Sequence, residues 1–89
     1  MAVYLITYEL HGSRDYKGLT DVIGSFDAWW HYIESTWLVV TNDDANEIFE
    51  KLRPHLDEGD YILITKINKD NQGSLPKKAW DWIKQHIDK

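Results

Sequence analysis

The feature that most constrains the fold is an apolar, aromatic stretch at residues 27–42, DAWWHYIESTWLVVTN. A single polar break, Glu34-Ser35, divides it into two segments that are typical of strands joined by a tight turn. Alternation gives the first strand two faces, one with Trp29, His31 and Ile33 and the other with Trp30, Tyr32 and Glu34. The second strand, residues 36–41, is almost continuously apolar, so we expect it in the interior of a sheet.

The pattern on either side of this strand pair is nearly symmetric. Apolar residues recur with helical spacing at residues 19–26 and again at 45–52, and a strand pattern lies beyond each helix, at 3–10 and 61–67. The order β-α-β-β-α-β predicts an α+β domain of the ferredoxin-like arrangement. In that arrangement the first and third strands lie in the middle of an antiparallel sheet, and both helices cover one face.

A further helix is predicted near the C-terminus. Ser74 is a candidate cap and Pro76 lies in the first turn, ahead of an apolar stripe. We therefore expect one domain over residues 1–89, with a ferredoxin-like core at 1–68 and an added helix at 74–88 that packs against this core.

Composition excludes several classes of function. The chain has no cysteine, which rules out disulfide frameworks and thiolate metal sites, and no apolar run approaches the ~20 residues of a membrane span. The N-terminus lacks the pattern of a signal peptide, so we expect a cytoplasmic protein with no membrane partner. A net charge of −5 disfavours binding to nucleic acid through its phosphates. Carboxylates that hold a metal ion could still support catalysis on RNA.

Glu9 is the leading candidate for a catalytic residue, because it ends a central strand beside a loop that contains glycine. A carboxylate in that place can hold Mg²⁺, and a dimer would supply two. In the following loop, His11 could act as a general base, and Ser13 and Arg14 could bind a phosphate. The alternative is an ordinary polar strand end, with Glu9 solvated or paired with Arg14.

The aromatic residues at the start of the strand pair predict an interface. Because this strand lies at a sheet edge in the expected arrangement, one of Trp29 and Trp30 must face away from the two core helices. A second subunit covering Trp29, Trp30 and Tyr32 accounts for this face, and an exposed binding surface is the alternative. A chain of 89 residues buries a small core, which also favours a homodimer. Trp37 is expected in the core, and His31, which alternates with the aromatic residues of the first strand, is expected to pack at the interface rather than bind a metal.

Two segments resemble a known family of small nucleases. Residues 3–10, VYLITYEL, resemble the opening strand of the smaller CRISPR adaptation protein, a CRISPR-associated endoribonuclease, and of virulence-associated protein D type ribonucleases. Residues 34–39, ESTWLV, resemble the family's Gln-x-Ser-Val-Phe-Glu segment, with Ser35 or Thr36 in the serine position, and this resemblance makes Ser35 a candidate binding residue. The resemblance covers about residues 2–67, and it is closer still to short bacterial and phage proteins that carry a SinR-like label.

This resemblance implies a ferredoxin-like homodimer that cleaves nucleic acid with the help of a divalent ion such as Mg²⁺. In the family, the first strand ends in an aspartate that can hold the metal at a twofold axis, and Glu9 occupies that place here. Two features depart from the family pattern. Glu9 has one more methylene than aspartate, and a helix at 74–88 stands where the family has a strand that crosses to the partner subunit.

Three functions are open at this point. The acidic charge and the altered carboxylate favour a nuclease-derived binding or scaffold protein, with a second copy or another protein as partner. An active metal-dependent endonuclease that acts through paired Glu9 residues is the first alternative. A toxin or counter-defence component, of bacterial or phage origin, is the second.

Overall fold

The computed structural model describes residues 1–12 and 15–87 of the chain. Its helices and strands are, in chain order, β1 (Ala2–Glu9), α1 (Tyr16–Ile23), β2 (Ala28–Ile33), β3 (Thr36–Thr41), α2 (Ala45–Leu52), β4 (Tyr61–Lys66) and α3 (Lys77–Ile87). A single 3₁₀ turn, Arg53–His55, follows α2. The sequence predicted each of these helices and strands in this order.

The four strands form one antiparallel sheet in the order β2-β3-β1-β4. The two most apolar strands, β1 and β3, therefore lie in the middle, as their sequences require. The α+β class expected from the sequence is confirmed, with three helices packed on this four-stranded sheet.

The first two helices begin at side chains that cap them. Asp44 accepts a hydrogen bond from the Glu47 backbone N–H while the Glu47 side chain accepts one from the Asp44 N–H, so the two residues form a capping box at the start of α2. Asp15 caps α1 through the Gly18 N–H and also lies 2.5 Å from His55 Nδ1. The hydrogen bond to His55 is the main cause of a lowered pKa of the Asp15 carboxyl.

The sheet has two covered faces, and the helices divide between them. On the first, side chains of α1 and α2 pack on even-numbered residues of β1; the buried members of this cluster are Tyr4, Ile6, Tyr8, Leu19, Ile23, Trp37, Val39, Ile48 and Leu52. On the second, α3 packs on a smaller cluster: Val3, Trp30, Leu38, Val40, Ala79 and Ile83. We call the second surface the α3 face. The C-terminal helix thus packs against the core, as predicted.

One expectation about β2 is wrong. Trp30 pairs with Leu38 and Ile33 pairs with Thr36, so three steps along β2 match two along β3. This β-bulge inserts one residue and turns the end of the strand over. Ile33 therefore shares the α3 face with Thr36, not the α1/α2 face with Trp29. Simple alternation from Trp29 fails at this point.

Candidate functional site

The helix α3 covers only part of its face, and the remainder exposes large apolar side chains. Ladder partners identify this remainder: Tyr61 pairs with Glu9 and Leu63 with Thr7, and these β1 residues share a face with Val3. Four exposed apolar side chains lie here: Tyr32, Ile33, Tyr61 and Leu63, with Tyr61 and Leu63 the most exposed at 64% and 60%. We call this surface the open half-face.

The open half-face has a small polar floor. Thr7 and Thr36 lie opposite each other on the two central strands, and their hydroxyl oxygens are 3.1 Å apart, within hydrogen-bond distance. Tyr32 contacts the ring of buried Trp30, with centroids 5.2 Å apart, so the exposed aromatic continues from the cluster under α3. Tyr32 thus extends the buried cluster under α3 onto the exposed part of the same face.

Glu9 and His11 come together at one edge of the open half-face. Their side chains are exposed, and His11 Nε2 lies 3.6 Å from Glu9 Oε2. The His11 ring also meets the edge of Tyr61, with centroids 5.5 Å apart. The structure thus brings together the two residues that the sequence singled out for catalysis. It adds Tyr61, which pairs with Glu9 in the ladder.

The loop that carries His11 is held by the turn at residues 57–60, which precedes β4. The Asp60 carboxylate accepts hydrogen bonds from the backbone N–H groups of His11 (2.6 Å), Gly12 (3.0 Å) and Asp57 (2.8 Å). These backbone donors, that of Gly12 first, lower the pKa of Asp60. A Cβ on Gly12 would lie 2.2 Å from Asp57 Oδ2, so only glycine allows this close approach.

Ser35 lies at the same end of the sheet, in the turn between β2 and β3. Its carbonyl accepts a hydrogen bond of 3.1 Å from the Tyr8 N–H, and its own φ of 60° is left-handed. Ser35 therefore has a structural role, in which its backbone forms the turn and links it to β1. The other two binding residues expected from the sequence, Ser13 and Arg14, lie outside the described residues.

A metal site within one copy finds little support here. Across residues 1–12 and 15–87, no three His, Cys, Asp or Glu side chains are placed to hold a metal ion together. Glu9 and His11 are two potential ligands at this edge. The dimer hypothesis for Glu9 supposes that a second copy supplies another carboxylate.

The tryptophans of β2 lie on opposite faces, and α3 takes the place expected for a second subunit. Trp30 is only 3% exposed, and its Nε1 donates to the Ala79 carbonyl of α3 at 3.3 Å. Its own chain therefore covers Trp30, which leaves it unable to form a dimer interface in this arrangement. Trp29 is half exposed on the other face, 5.3 Å from the Trp37 ring. Of the three expected interface residues, Tyr32 alone lies on the open half-face.

A polar cluster around Tyr8 escaped the sequence analysis. Trp37 Nε1 donates to the Tyr8 hydroxyl at 3.1 Å, and the Tyr16 hydroxyl lies 3.4 Å from it. Burial, followed by the Tyr16 contact, raises the pKa of Tyr8 to about 12. His31 stacks on Trp37 with centroids 3.8 Å apart, and burial lowers its pKa. These groups satisfy one another, so we interpret the cluster as a structural network in the core.

Charge is divided along the chain. Residues 1–65 contain four basic and twelve acidic side chains, whereas residues 66–89 contain six basic and three acidic ones. Three acidic residues lie at the ends of the strands that carry the open half-face, since Glu9 ends β1, Glu34 follows β2 and Asp60 precedes β4. A polyanion would therefore be repelled from Glu9.

Two wider comparisons complete the description. Within the part of the chain that the structure describes, no helix combines the length and apolar character needed to cross a bilayer. No protein-family model matches the chain, and no curated protein matches it either.

Proposed function

We propose that this chain is a small binding protein of the ferredoxin-like type, and that the open half-face is its binding surface. The observation that carries the proposal is the exposure of four large apolar side chains on one face of the sheet, Tyr32 and Ile33 at the β2 edge and Tyr61 and Leu63 at the β4 edge. Large apolar side chains gathered on one exposed face mark an interaction surface. Two tyrosines among the four suit a contact surface, because tyrosine combines a large apolar ring with a polar tip.

The ferredoxin-like assignment is supported by the element order and the sheet. The order of helices and strands is β-α-β-β-α-β before α3, and β1 and β3 are the two central strands. Side chains of both α1 and α2 lie in one cluster on a single face. In this assignment α3 is an addition that covers part of the opposite face.

The charges around the open half-face indicate which partners it suits. Glu9, Glu34 and Asp60 provide negative charge at its border. A partner with an apolar centre and basic flanks would complement this surface, and a nucleic-acid backbone would not. A scaffold or adaptor that holds another protein is therefore favoured over an enzyme that acts on RNA or DNA.

A metal-dependent endonuclease is the second candidate, and one contact favours it. Glu9 and His11 are adjacent and exposed, with 3.6 Å between Oε2 and Nε2. A carboxylate and an imidazole are both metal ligands, and the pair could also serve as a base that activates water. Its weakness is the acidic surroundings, which would slow the approach of a phosphodiester.

The binding proposal is tested with two variants of β2. Ile33→Asp places a charge on the open half-face, and Trp29→Asp places the same charge on the opposite face of the same strand. Native protein and both variants, shown to be folded by circular dichroism, are used as baits in an extract of the source organism. We expect one partner to be retained by the native protein and by Trp29→Asp but lost from Ile33→Asp. Identical recovery by all three would refute the proposal.

The endonuclease candidate needs a separate assay. Native protein, Glu9→Gln and the control Glu50→Gln are incubated with a mixed RNA and DNA panel and Mg²⁺ or Mn²⁺. Glu50 is an exposed carboxylate of α2, 3.1 Å from Arg53, and lies on a different element from Glu9, which ends β1. The binding proposal predicts no cleavage by any of the three. Cleavage that is lost only in Glu9→Gln would replace it with the endonuclease function.

A further inference from the structure

The two edges of the sheet differ in how they are protected. At the β2 edge, the bulge between Trp30 and Ile33 interrupts the regular strand, which is a device that discourages pairing with another strand. At the β4 edge, six residues, YILITK, pair with β1 in unbroken register. Among the described strands, none pairs with the outer side of β4. The edge thus presents a regular, apolar strand that is open to a partner strand.

The backbone groups that point outward from β4 can be identified. Ile67 N donates to Val3 O, so residues 61, 63, 65 and 67 direct their hydrogen bonds towards β1. The backbone groups of Ile62, Ile64 and Lys66 consequently point away from the sheet. A partner strand must meet these groups, which limits the registers that are allowed.

We propose that two copies of this chain pair through β4, antiparallel and about a twofold axis at Leu63. In this register Leu63 faces Leu63 of the second copy, and Ile62 faces Ile64 in a hydrogen-bonded pair. This register joins the outward backbone groups of Ile62 and Ile64 by hydrogen bonds, as the edge requires. It also keeps every side chain on its own face of the sheet. The two four-stranded sheets become one sheet of eight strands.

The charges of β4 and its flanks favour this register over its neighbours. With Leu63 on the axis, Lys66 of each copy lies opposite Asp60 of the other, so opposite charges meet at both ends of the new ladder. A shift that centres Ile64 places Lys66 opposite Ile62, and removes this pairing. A lysine on an edge strand normally discourages association. Here its complement is supplied by the second copy at the matching position.

The proposed dimer deepens the proposed binding function, and it rests on that function where it joins the open half-faces of two copies. The side chains of Tyr61 and Leu63 stay on the α3 face after pairing, so the two open half-faces meet at the axis and form one larger surface. Pairing through β4 also accounts for the exposure of Leu63 in a single copy. The central pair of such a ladder is not hydrogen-bonded, so the two Leu63 side chains come close together and cover each other. A second copy is therefore the partner that β4 itself fits.

The experiment uses the absence of cysteine from the sequence. Leu63→Cys places a single thiol on the proposed axis, opposite itself, at a separation that permits a disulfide. Thr65→Cys is the control: it is also exposed on β4, but in this register it faces Tyr61. We expect Leu63→Cys to form a covalent dimer under mild oxidation at least about tenfold faster than Thr65→Cys. A mixture of Thr65→Cys with Tyr61→Cys should cross-link where Thr65→Cys alone does not.

A charge test addresses the same axis without oxidation. The native protein should have a solution mass near twice the 10.5 kDa of one chain, whereas Leu63→Lys and Leu63→Glu should each be monomeric. Mixing these two variants should restore the dimer, because opposite charges then meet on the axis. Circular dichroism establishes that each variant is folded.

The outcomes separate this inference from the proposed function. A native monomer at ~100 µM, a concentration at which a specific dimer is expected to form, overturns the pairing. A native dimer in which Thr65→Cys cross-links as fast as Leu63→Cys also overturns it, and shows a different interface. Neither result touches the loss of a partner in Ile33→Asp, which tests the open half-face at the β2 edge, with two strands between it and β4.

Discussion

Removing the Ile83 side chain beyond Cβ tests whether α3 is a structural part of the domain. Ile83 is 7% exposed and belongs to the same buried cluster as Val3, Leu38 and Trp30. Ile83→Ala deletes three carbon groups, each of which contributes about 0.8 kcal/mol when buried. The cavity left behind adds to this loss, so we expect a decrease of about 3 kcal/mol in the free energy of unfolding.

The expected loss is large for a domain of this size. A chain of 89 residues has a total stability of about 4–13 kcal/mol. One physical limit applies to the effect of Ile83→Ala. If the rest of the domain stays folded when α3 detaches, the measured loss cannot exceed the free energy with which α3 docks. Truncation after Gly73, which removes α3, measures that limit and should destabilise the domain at least as much as Ile83→Ala.

Urea unfolding followed by tryptophan fluorescence and circular dichroism provides the assay. With an m value of about 1–1.5 kcal/mol/M, a loss of 3 kcal/mol lowers the midpoint by about 2–3 M. Lys84→Ala, an exposed neighbour on the same helix, should change the free energy by less than about 0.5 kcal/mol. A truncated chain that melts at the native temperature and stays soluble would refute the reasoning, and would make α3 an appendage.

Three further changes test the turns and the histidine that stacks on Trp37. Ser35→Gly should raise stability by about 0.5 kcal/mol in urea unfolding, because Ser35 has a φ of 60° and glycine relieves the left-handed strain. The greater entropy of glycine in the unfolded chain offsets part of this gain. Gly59→Ala should lower stability by about 1 kcal/mol, since its φ is 91° and the added Cβ meets no atom within 4 Å, leaving backbone strain as the cause. Burial lowers the pKa of His31, so the unfolded chain binds more protons below pH ~6.5 and stability should fall from there to the folded-state pKa. His31→Phe should reduce this fall in midpoints measured between pH 8 and pH 5; an unchanged pH profile would contradict it.

The order of helices and strands could be predicted because local periodicity carries it. The capping box of Asp44 and Glu47 and the continuous apolar run of β3 are features of neighbouring residues, and both are present in the structure. The meeting of Glu9 with His11 was foreseeable for the same reason, since a single residue, Leu10, separates them at the end of a strand. Contacts that depend on distant parts of the chain, such as Asp60 with the His11 backbone, left no signal in the local pattern.

Two other features could not be predicted, for different physical reasons. A bulge adds one residue to β2 without changing its composition, so alternation continues to fit the sequence while Ile33 lies on the other face. An amphipathic helix reveals that one of its sides is buried but not which surface receives it. The sequence therefore predicted a second subunit or an exposed binding surface on the outer face of β2, whereas the hydrogen bond from Trp30 to the Ala79 carbonyl shows that α3 covers Trp30.

The open half-face follows from the length of α3. Its eleven residues span about 16 Å, and a helix is about 10 Å wide. The eight residues of β1 extend about 26 Å, and four strands are about 14 Å across. One helix of this size therefore covers roughly half of the sheet face, whereas α1 and α2 together cover the other face. On this face, the apolar side chains beyond the reach of α3 are the ones that remain exposed, and the proposed partner would supply the cover that a second helix would have provided.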